Sequence, residues 1–480
     1  MFFEQFYLGC LSHASYMLAS GGEAVVVDPQ RDVDLYLKVA ADQNLKIRHI
    51  LETHLHADFV SGHRELAARG DATIYFGAAA GAKFAHTPVR DGDEIRFGDC
   101  RIRVLETPGH TPESVCFLVF DSASDPAPQL AGTAARQKHD GSPWCVLTGD
   151  TLFIGDVGRP DLAPAYTPQQ LAGMLYDSLH QKLMPLPDET LVFPAHGAGS
   201  LCGRNMRADR FSTIGTERRT NYALQIASRE EFVEQVTSNL PARPEYFARD
   251  AAINREGAPA LSEQGPLAAL SAAEVKLSQQ NEALLLDTRP ADQFTAGHVP
   301  GSVHIGLGGQ FASWAGALIG LSTPVILITD SEEHAEEARV RLARVGIENL
   351  IGHLKDGISG WKQARNELEP LPTVSAQEVS EQLKQDGLQV LDVRRGAEWN
   401  AGHIPGAKLY SLDDFRRELP EFAPDAHVAV HCKSGYRSMI AASMLKRAGV
   451  NVVNMSGGFD EWEKAGLPVE RGQAAGQRPD

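Results

Sequence analysis

Residues 53–63 read T-H-L-H-A-D-F-V-S-G-H, and in this stretch His54, His56 and Asp58 alternate directly after the apolar His49-Ile50-Leu51. In an extended segment, residues two apart point to the same side, so two imidazoles and a carboxylate can converge as the chain leaves a strand. That geometry suits a cation. A lone histidine would be better read as a satisfied polar loop residue; three ligand-type residues at this spacing favour metal. Residues 47–53 have strand character and residues 64–69 resume a helix, so the ligand loop lies between strand and helix.

Three more strand ends carry the same residue types. Ile102-Arg103-Val104-Leu105 runs into Thr107-Pro108-Gly109-His110, Cys145-Val146-Leu147 into Thr148-Gly149-Asp150, and Leu191-Val192-Phe193 into Pro194-Ala195-His196. Each is a weak signal alone. Together, His54, His56, Asp58, His110, Asp150 and His196 can share one rim of a sheet sandwich.

The 480 residues exceed one core and imply two to four domains. With 43% hydrophobic and 22% charged residues the profile is globular, and no apolar run approaches the length of a membrane span. The opening Met1-Phe2-Phe3-Glu4-Gln5-Phe6 lacks a basic n-region and a long apolar h-region, so it reads as a first strand and the expected location is cytoplasmic. A formal net charge of -17 argues against nucleic acid as a partner. The 6 cysteines form no CxxC pair, which excludes a disulfide framework and a zinc knuckle, so any important thiol acts alone.

Over about its first half the chain resembles the metallo-β-lactamase superfamily, with an αββα sandwich expected over residues 1–250. Dinuclear hydrolases of that superfamily such as glyoxalase II have histidine directly after the aspartate of the first motif; here that place is Phe59, which cannot ligate. Within the superfamily the persulfide dioxygenases are most similar. Their resemblance implies His54, His110 and Asp150 as ligands of a single Fe(II), one per chain; His56 is either a further ligand or hydrogen-bond support behind them, the latter being preferred, and Asp58 and His196 are placed with it as support. Two histidines and one carboxylate on one face of iron leave positions open for dioxygen and a substrate sulfur. Zinc has no redox chemistry with which to activate dioxygen.

In G-D-V-G-R-P-D at 155–161, Arg159 matches the G-R-x-D motif of the dioxygenases and is grouped with the catalytic residues, as an organiser of the site floor or an anion clamp. Cys202 follows His196 closely and is read as a core thiol in preference to a persulfide acceptor; Cys10, Cys100, Cys116 and Cys145 read as core. Residues 122–142 read as an exposed insertion. Residues 213–226 and 228–240 carry helical patterns, the second opening with the capping box Ser228-Arg229-Glu230-Glu231. Pro241 and Pro244 end that run, and residues 249–266 resemble a linker.

The second half holds a repeat. Asp287-Thr288-Arg289 through Ala296-Gly297-His298-Val299-Pro300-Gly301 recurs at a domain-sized offset as Asp392-Val393-Arg394 through Ala401-Gly402-His403-Ile404-Pro405-Gly406. Each copy continues with a strand, a loop, a helix and another strand, and ends in G-x-x-x-W, implying two small α/β domains with parallel sheets. These elements resemble rhodanese domains, over 265–370 and 373–475. In the second copy Cys432-Lys433-Ser434-Gly435-Tyr436-Arg437-Ser438 sits between strand and helix, where rhodaneses hold the sulfur-accepting cysteine. Successive backbone N–H groups and a helix N-terminus there favour a thiolate or persulfide, and Lys433 and Arg437 add charge for an anionic donor or acceptor. The spacing is C-x4-R rather than the C-x5-R of the related dual-specificity phosphatases, which favours sulfur transfer. In the first copy the strand Val325-Ile326-Leu327-Ile328-Thr329 runs into Asp330, with no cysteine anywhere in 203–430.

The expectation is thus an α/β protein of three domains: a persulfide dioxygenase, a rhodanese-like domain without its nucleophile, and a catalytic rhodanese. The resemblance implies oxidation of a low-molecular-weight thiol persulfide by O2 to sulfite and thiol. Rhodanese transfer then links persulfide, sulfite and thiosulfate, as in bacterial fusions for sulfide detoxification, and the expected assembly is a homo-oligomer. Two alternatives stand beside it. One is a zinc-dependent, glyoxalase II-like thioester hydrolase fused to a sulfurtransferase; the other is a sulfur-carrier module that receives sulfane sulfur from a partner protein.

Overall fold

The computed structural model describes residues 1–131, 141–238, 240, 243–385 and 387–472. The chain divides into two compact units, the first made of Met1–Gly265 and Ala343–Gly346, the second of Pro266–Leu342 and the chain from Ile347 on.

In the first unit, a six-stranded sheet runs in chain order through Phe2–Leu8, His13–Ser20, Glu23–Val27, Lys46–Leu51, Thr73–Gly77 and Thr87–Val89. A second six-stranded sheet contains Glu94–Phe97, Cys100–Glu106, Val115–Phe120, Cys145–Gly149, Leu191–Pro194 and Ser212–Thr213. The run Ala24-Val25-Val26-Val27 has no polar residue because both of its faces are covered. Val25 and Val27 enter the core between the sheets with Leu18, Phe117 and Phe193, while Val26 enters an outer core with Tyr36, Ile50 and Leu66. Tyr36 and Leu66 belong to the helices Asp34–Asp42 and His63–Gly70. On the far side, Leu118, Val146 and Val192 pack against Leu175 and Phe232 of the helices Pro168–Ser178 and Arg229–Thr237. The result is the expected αββα sandwich. Each such fully buried aliphatic or aromatic side chain contributes ~1.5–3 kcal/mol.

Two local readings differ from the sequence expectation. The pattern over 213–226 is two short helices, Ile214–Thr220 and Tyr222–Gln225, broken at Asn221. The Asn221 amide turns inward to donate to the carbonyls of Phe153 and Asp156, and its oxygen caps Ala223. Ser228 does cap the next helix, accepting from the Glu231 amide. The stretch read as a linker contains the helix Tyr246–Glu256, and the chain beyond it stays on the first unit, where Glu65 accepts hydrogen bonds from the Leu261 and Ser262 amides. Pro241 and the 132–140 part of the insertion lie outside the described residues.

The second unit holds two five-stranded sheets of the same order, with parallel pairings. The repeated motifs are explained by folding. In each copy the D-x-R arginine folds back on its own aspartate and onto the carbonyl of the A-G-H glycine: Arg289 Nη2 lies 2.7 Å from Asp287 and 3.0 Å from Gly297 O, and Arg394 Nη2 lies 2.7 Å from Asp392 and 2.8 Å from Gly402 O. His298 and His403 stack on Phe294 and Trp399 at 3.9 and 3.8 Å. No helix among the described residues is long and apolar enough to cross a membrane.

Candidate functional site

The strand Lys46–Leu51 delivers Glu52, Thr53 and His54 to the rim of the sandwich, and the neighbouring strand Glu23–Val27 ends at Asp28. Asp28 accepts hydrogen bonds from the Thr53 amide at 2.7 Å and the Thr53 hydroxyl at 2.9 Å. Since that hydroxyl gives its proton to Asp28, its oxygen accepts from His54 Nδ1 at 3.0 Å, which leaves the Nε2 lone pair of His54 pointing inward. His110 is fixed in the same way by the Arg159 carbonyl, 3.0 Å from its Nδ1. Asp150 gives one oxygen to His196 Nδ1 at 2.7 Å and keeps the other.

The atoms left over converge. His54 Nε2, His110 Nε2 and Asp150 Oδ2 are buried and have no hydrogen-bond partner among the described residues, and the three residues offer ligand atoms within 4.8 Å of one another. Burial, reinforced by the charge of His56, holds His54 well below the usual imidazole range, and burial likewise lowers His110. Burial works to raise Asp150, but His196 and His110 outweigh it and keep the carboxyl well below its ordinary range. Two neutral imidazoles and one carboxylate, each with a lone pair aimed at a common point, fit a divalent cation. Gly158 permits this closeness: a Cβ there would lie 2.0 Å from Asp150 O and 2.8 Å from His110 Nδ1.

The remaining histidines and acids of the motifs face elsewhere. His56 Nε2 lies 3.1 Å from Asp28 and 3.4 Å from Glu52. Although burial opposes it, those two carboxylates raise its pKa to about 10. His196 sits between Asp150 and Asp58, whose Oδ2 is 2.8 Å from its Nε2; the two carboxylates overcome burial and raise it well above the usual range. It thus lies between Asp58 and Asp150 and links the two. The Phe59 ring packs on His13 and His56, with centroids 4.0 and 4.4 Å away, so the position after Asp58 is apolar in space as well as in sequence.

Cys202 is buried against Asp58 and His196, and burial together with Asp58 and Asp150 pushes its thiol well upward. Arg159 has its guanidinium on Asp161 at 2.7 and 3.0 Å and on the Leu201 carbonyl at 3.2 Å. Its backbone carbonyl is the one that meets His110 Nδ1.

In the second unit the strand His427–His431 ends at Cys432, and the Gly435 amide donates to Sγ at 3.1 Å. Gly458 of the G-G-F-D-E-W motif closes the loop from behind. Its φ is +61°, and a Cβ would meet the Cys432 and Lys433 carbonyls at 2.5 and 2.6 Å. Lys433 is exposed at the mouth. Arg437 lies within electrostatic reach of Cys432, with its guanidinium paired to Glu398 through two 2.7 Å bonds. In the first copy the place of Cys432 falls to Thr329, since Asp287 pairs with Ile328 as Asp392 pairs with His431; Asp330 lies one residue further on and is exposed, and the Ser331 hydroxyl caps the next helix at His334.

Sequence reading missed Asp28, Glu52, Glu113, His13 and Asn254. Glu113 accepts from the Leu55 amide at 3.0 Å, and Asn254 holds the loop after His56. Asp28, His13 and Asn254 lie far from the ligands in sequence and meet them only through the sheet order and, for Asn254, the packing of the helix Tyr246–Glu256.

The sequence matches the description "Metallo-beta-lactamase superfamily" over residues 8–122 and "Rhodanese-like domain" over 271–364 and 375–465. It is 31% identical over 228 residues to persulfide dioxygenase ETHE1, mitochondrial, of Homo sapiens, spanning 46% of this chain and 73% of that protein. It is 34% identical over 176 residues to hydroxyacylglutathione hydrolase of Hahella chejuensis, 36% of this chain and 57% of that one. The crystal structure of a metallo-β-lactamase from Staphylococcus aureus superposes with a TM-score of 0.63 at 32% identity, covering 74% of this chain and 99% of the other.

Proposed function

The chain belongs to the metallo-β-lactamase superfamily, through an N-terminal domain related to persulfide dioxygenase ETHE1 that is joined to two rhodanese-like domains, and from this premise we propose that it is a persulfide dioxygenase coupled to sulfur transfer. It oxidises a low-molecular-weight thiol persulfide with O2 to sulfite and thiol, and its rhodanese converts sulfite to thiosulfate. The observation that carries the reading is the convergence of the buried atoms His54 Nε2, His110 Nε2 and Asp150 Oδ2, with Phe59 packed on the neighbouring His13 and His56.

Those three residues would hold one Fe(II), which supplies open coordination positions and the one-electron chemistry that dioxygen requires. The Arg159 carbonyl and Thr53 hydroxyl fix the tautomers of His110 and His54, and His196 keeps Asp150 ionised and oriented. In net terms RSSH, O2 and H2O give RSH, sulfite and two protons. At Cys432, the thiolate attacks the outer sulfur of a second persulfide, the donor S–S bond breaks and the carrier leaves as its thiolate, which leaves a persulfide on Cys432. The sulfite sulfur lone pair then attacks its outer sulfur, the S–S bond breaks, and the electron pair returns to Sγ, where the Gly435 amide stabilises the thiolate.

Product analysis tests the coupling. Given persulfide and oxygen, the wild-type protein should release thiosulfate, and Cys432→Ser should consume oxygen but accumulate sulfite, since serine cannot carry the persulfide. Thiosulfate from the serine variant would refute the assignment to Cys432. If the physiological direction is instead from thiosulfate to thiol, both proteins yield sulfite from added persulfide and differ only when thiosulfate and thiol are supplied.

The similarity to a hydroxyacylglutathione hydrolase favours a second reading, a zinc thioester hydrolase with an appended sulfurtransferase, because the same donor set also accepts zinc. Zinc as the native metal, thioester hydrolysis and no oxygen uptake would replace the dioxygenase reading.

A further inference from the structure

The rhodanese-like domain that lacks a cysteine reaches the sulfur-transfer loop of its neighbour. Tyr436 opens the helix Tyr436–Arg447, next to the Gly435 amide that donates to Cys432 Sγ, and the Tyr436 hydroxyl donates to the Gly306 carbonyl at 2.9 Å. Gly306 begins the run Gly306-Leu307-Gly308-Gly309 just after the edge strand Val303–His304 of the first copy. Gly309 lies under the same ring: a Cβ added to it would be 3.3 Å from the Tyr436 ring carbons, at a φ of +68°. Two helical turns further along, the His304 amide donates to Ser443 Oγ at 2.9 Å.

The glycine run is held from behind by its own domain. Arg341 donates to the Leu307 carbonyl at 2.7 Å and to the Gly309 carbonyl at 3.4 Å, with its guanidinium over the Phe311 ring at 5.3 Å. The two copies diverge at this place. Both enter it by the same backbone bonds, Leu307 N to Thr288 O and Leu412 N to Val393 O, but the second copy continues as a short helix, Leu412–Asp414, with Asp413 on Arg395. Where the second copy has side chains, the first has bare backbone, and bare backbone lets a carbonyl approach a phenol.

We propose that the 306–309 run of the cysteine-less domain is a positioning element for sulfur transfer at Cys432, acting through Tyr436. A persulfide on Sγ is stabilised by amides that are already in place, and those amides belong to the turn that Tyr436 anchors. The first copy, without a nucleophile, supports the second by holding this turn. The inference rests on the sulfurtransferase reading given above.

The test uses the full-length protein, with glutathione persulfide as donor and sulfite as acceptor, and compares Tyr436→Phe, Arg341→Met and the double variant. Each single change should lower kcat for thiosulfate formation about tenfold, leave the KM for sulfite and the melting temperature near wild type, and leave oxygen uptake unchanged. The double variant should lose no more than the worse single, because both act through one contact. Wild-type kcat in Arg341→Met, or effects that multiply in the double variant, would overturn the inference alone. Absence of transfer in the wild type would overturn the sulfurtransferase reading and this inference with it.

Discussion

Asn254 Nδ2 donates to the Phe59 carbonyl oxygen at 2.8 Å, and the same amide nitrogen reaches the His56 carbonyl at 2.8 Å while its oxygen accepts from the Ser61 amide at 2.8 Å. One side chain from the helix Tyr246–Glu256 therefore satisfies three backbone groups of the ligand loop. Asn254→Leu is expected to loosen that loop and weaken iron binding about 10- to 100-fold. Chelator competition on folded protein measures it, and wild-type affinity would show that the loop is held by other contacts.

The iron-replete protein should hold about one Fe per chain, because Phe59 removes a ligand from any second position. His54→Ala, His110→Ala and Asp150→Ala should each abolish oxygen uptake and leave Cys432-dependent sulfur transfer measurable. Two tightly bound metals, or joint loss of both activities, would contradict the assignment.

Thr329→Cys, at the place that Cys432 holds in the second copy, should not create strong thiosulfate sulfurtransferase activity in the first copy. Glu332 and Glu333 occupy the first turn of the helix Glu332–Ala343 and put negative charge where an anionic donor would approach. Robust activity from the single change would refute this electrostatic account.

Burial would raise the Glu398 carboxyl, but the Arg437 guanidinium outweighs it and holds the group below its ordinary value. A depressed folded value means that the stabilisation is complete above the unfolded pKa of about 4.3 and is lost as the pH falls through the folded one. Glu398→Gln should therefore lower the melting temperature at pH 7 and converge on wild type in acid, as thermal melts across pH would record. A constant difference at every pH would remove the ion pair as its cause.

Much of the fold was legible because its signals are local. The apolar run Ala24-Val25-Val26-Val27, the strand ends before His110, Asp150 and His196, and the repeated D-x-R and A-G-H elements depend on spacing within a few residues. The same holds for Cys432 between strand and helix, and for its lack of a counterpart in the first copy. The fold of these segments follows from side-chain periodicity and backbone sterics, which a chain carries without reference to its distant parts.

Tertiary structure decided which of the motif residues face one another. His54, His110 and Asp150 present bare lone pairs to one point, whereas His56 turns to Asp28 and Glu52, and His196 is spent between Asp58 and Asp150. The same applies to Arg437, whose guanidinium pairs with Glu398, and to Asn254 in a stretch that sequence alone reads as a linker. Each of these outcomes depends on a partner far along the chain, and the desolvation that makes such pairing decisive exists only once the sheets have closed over it.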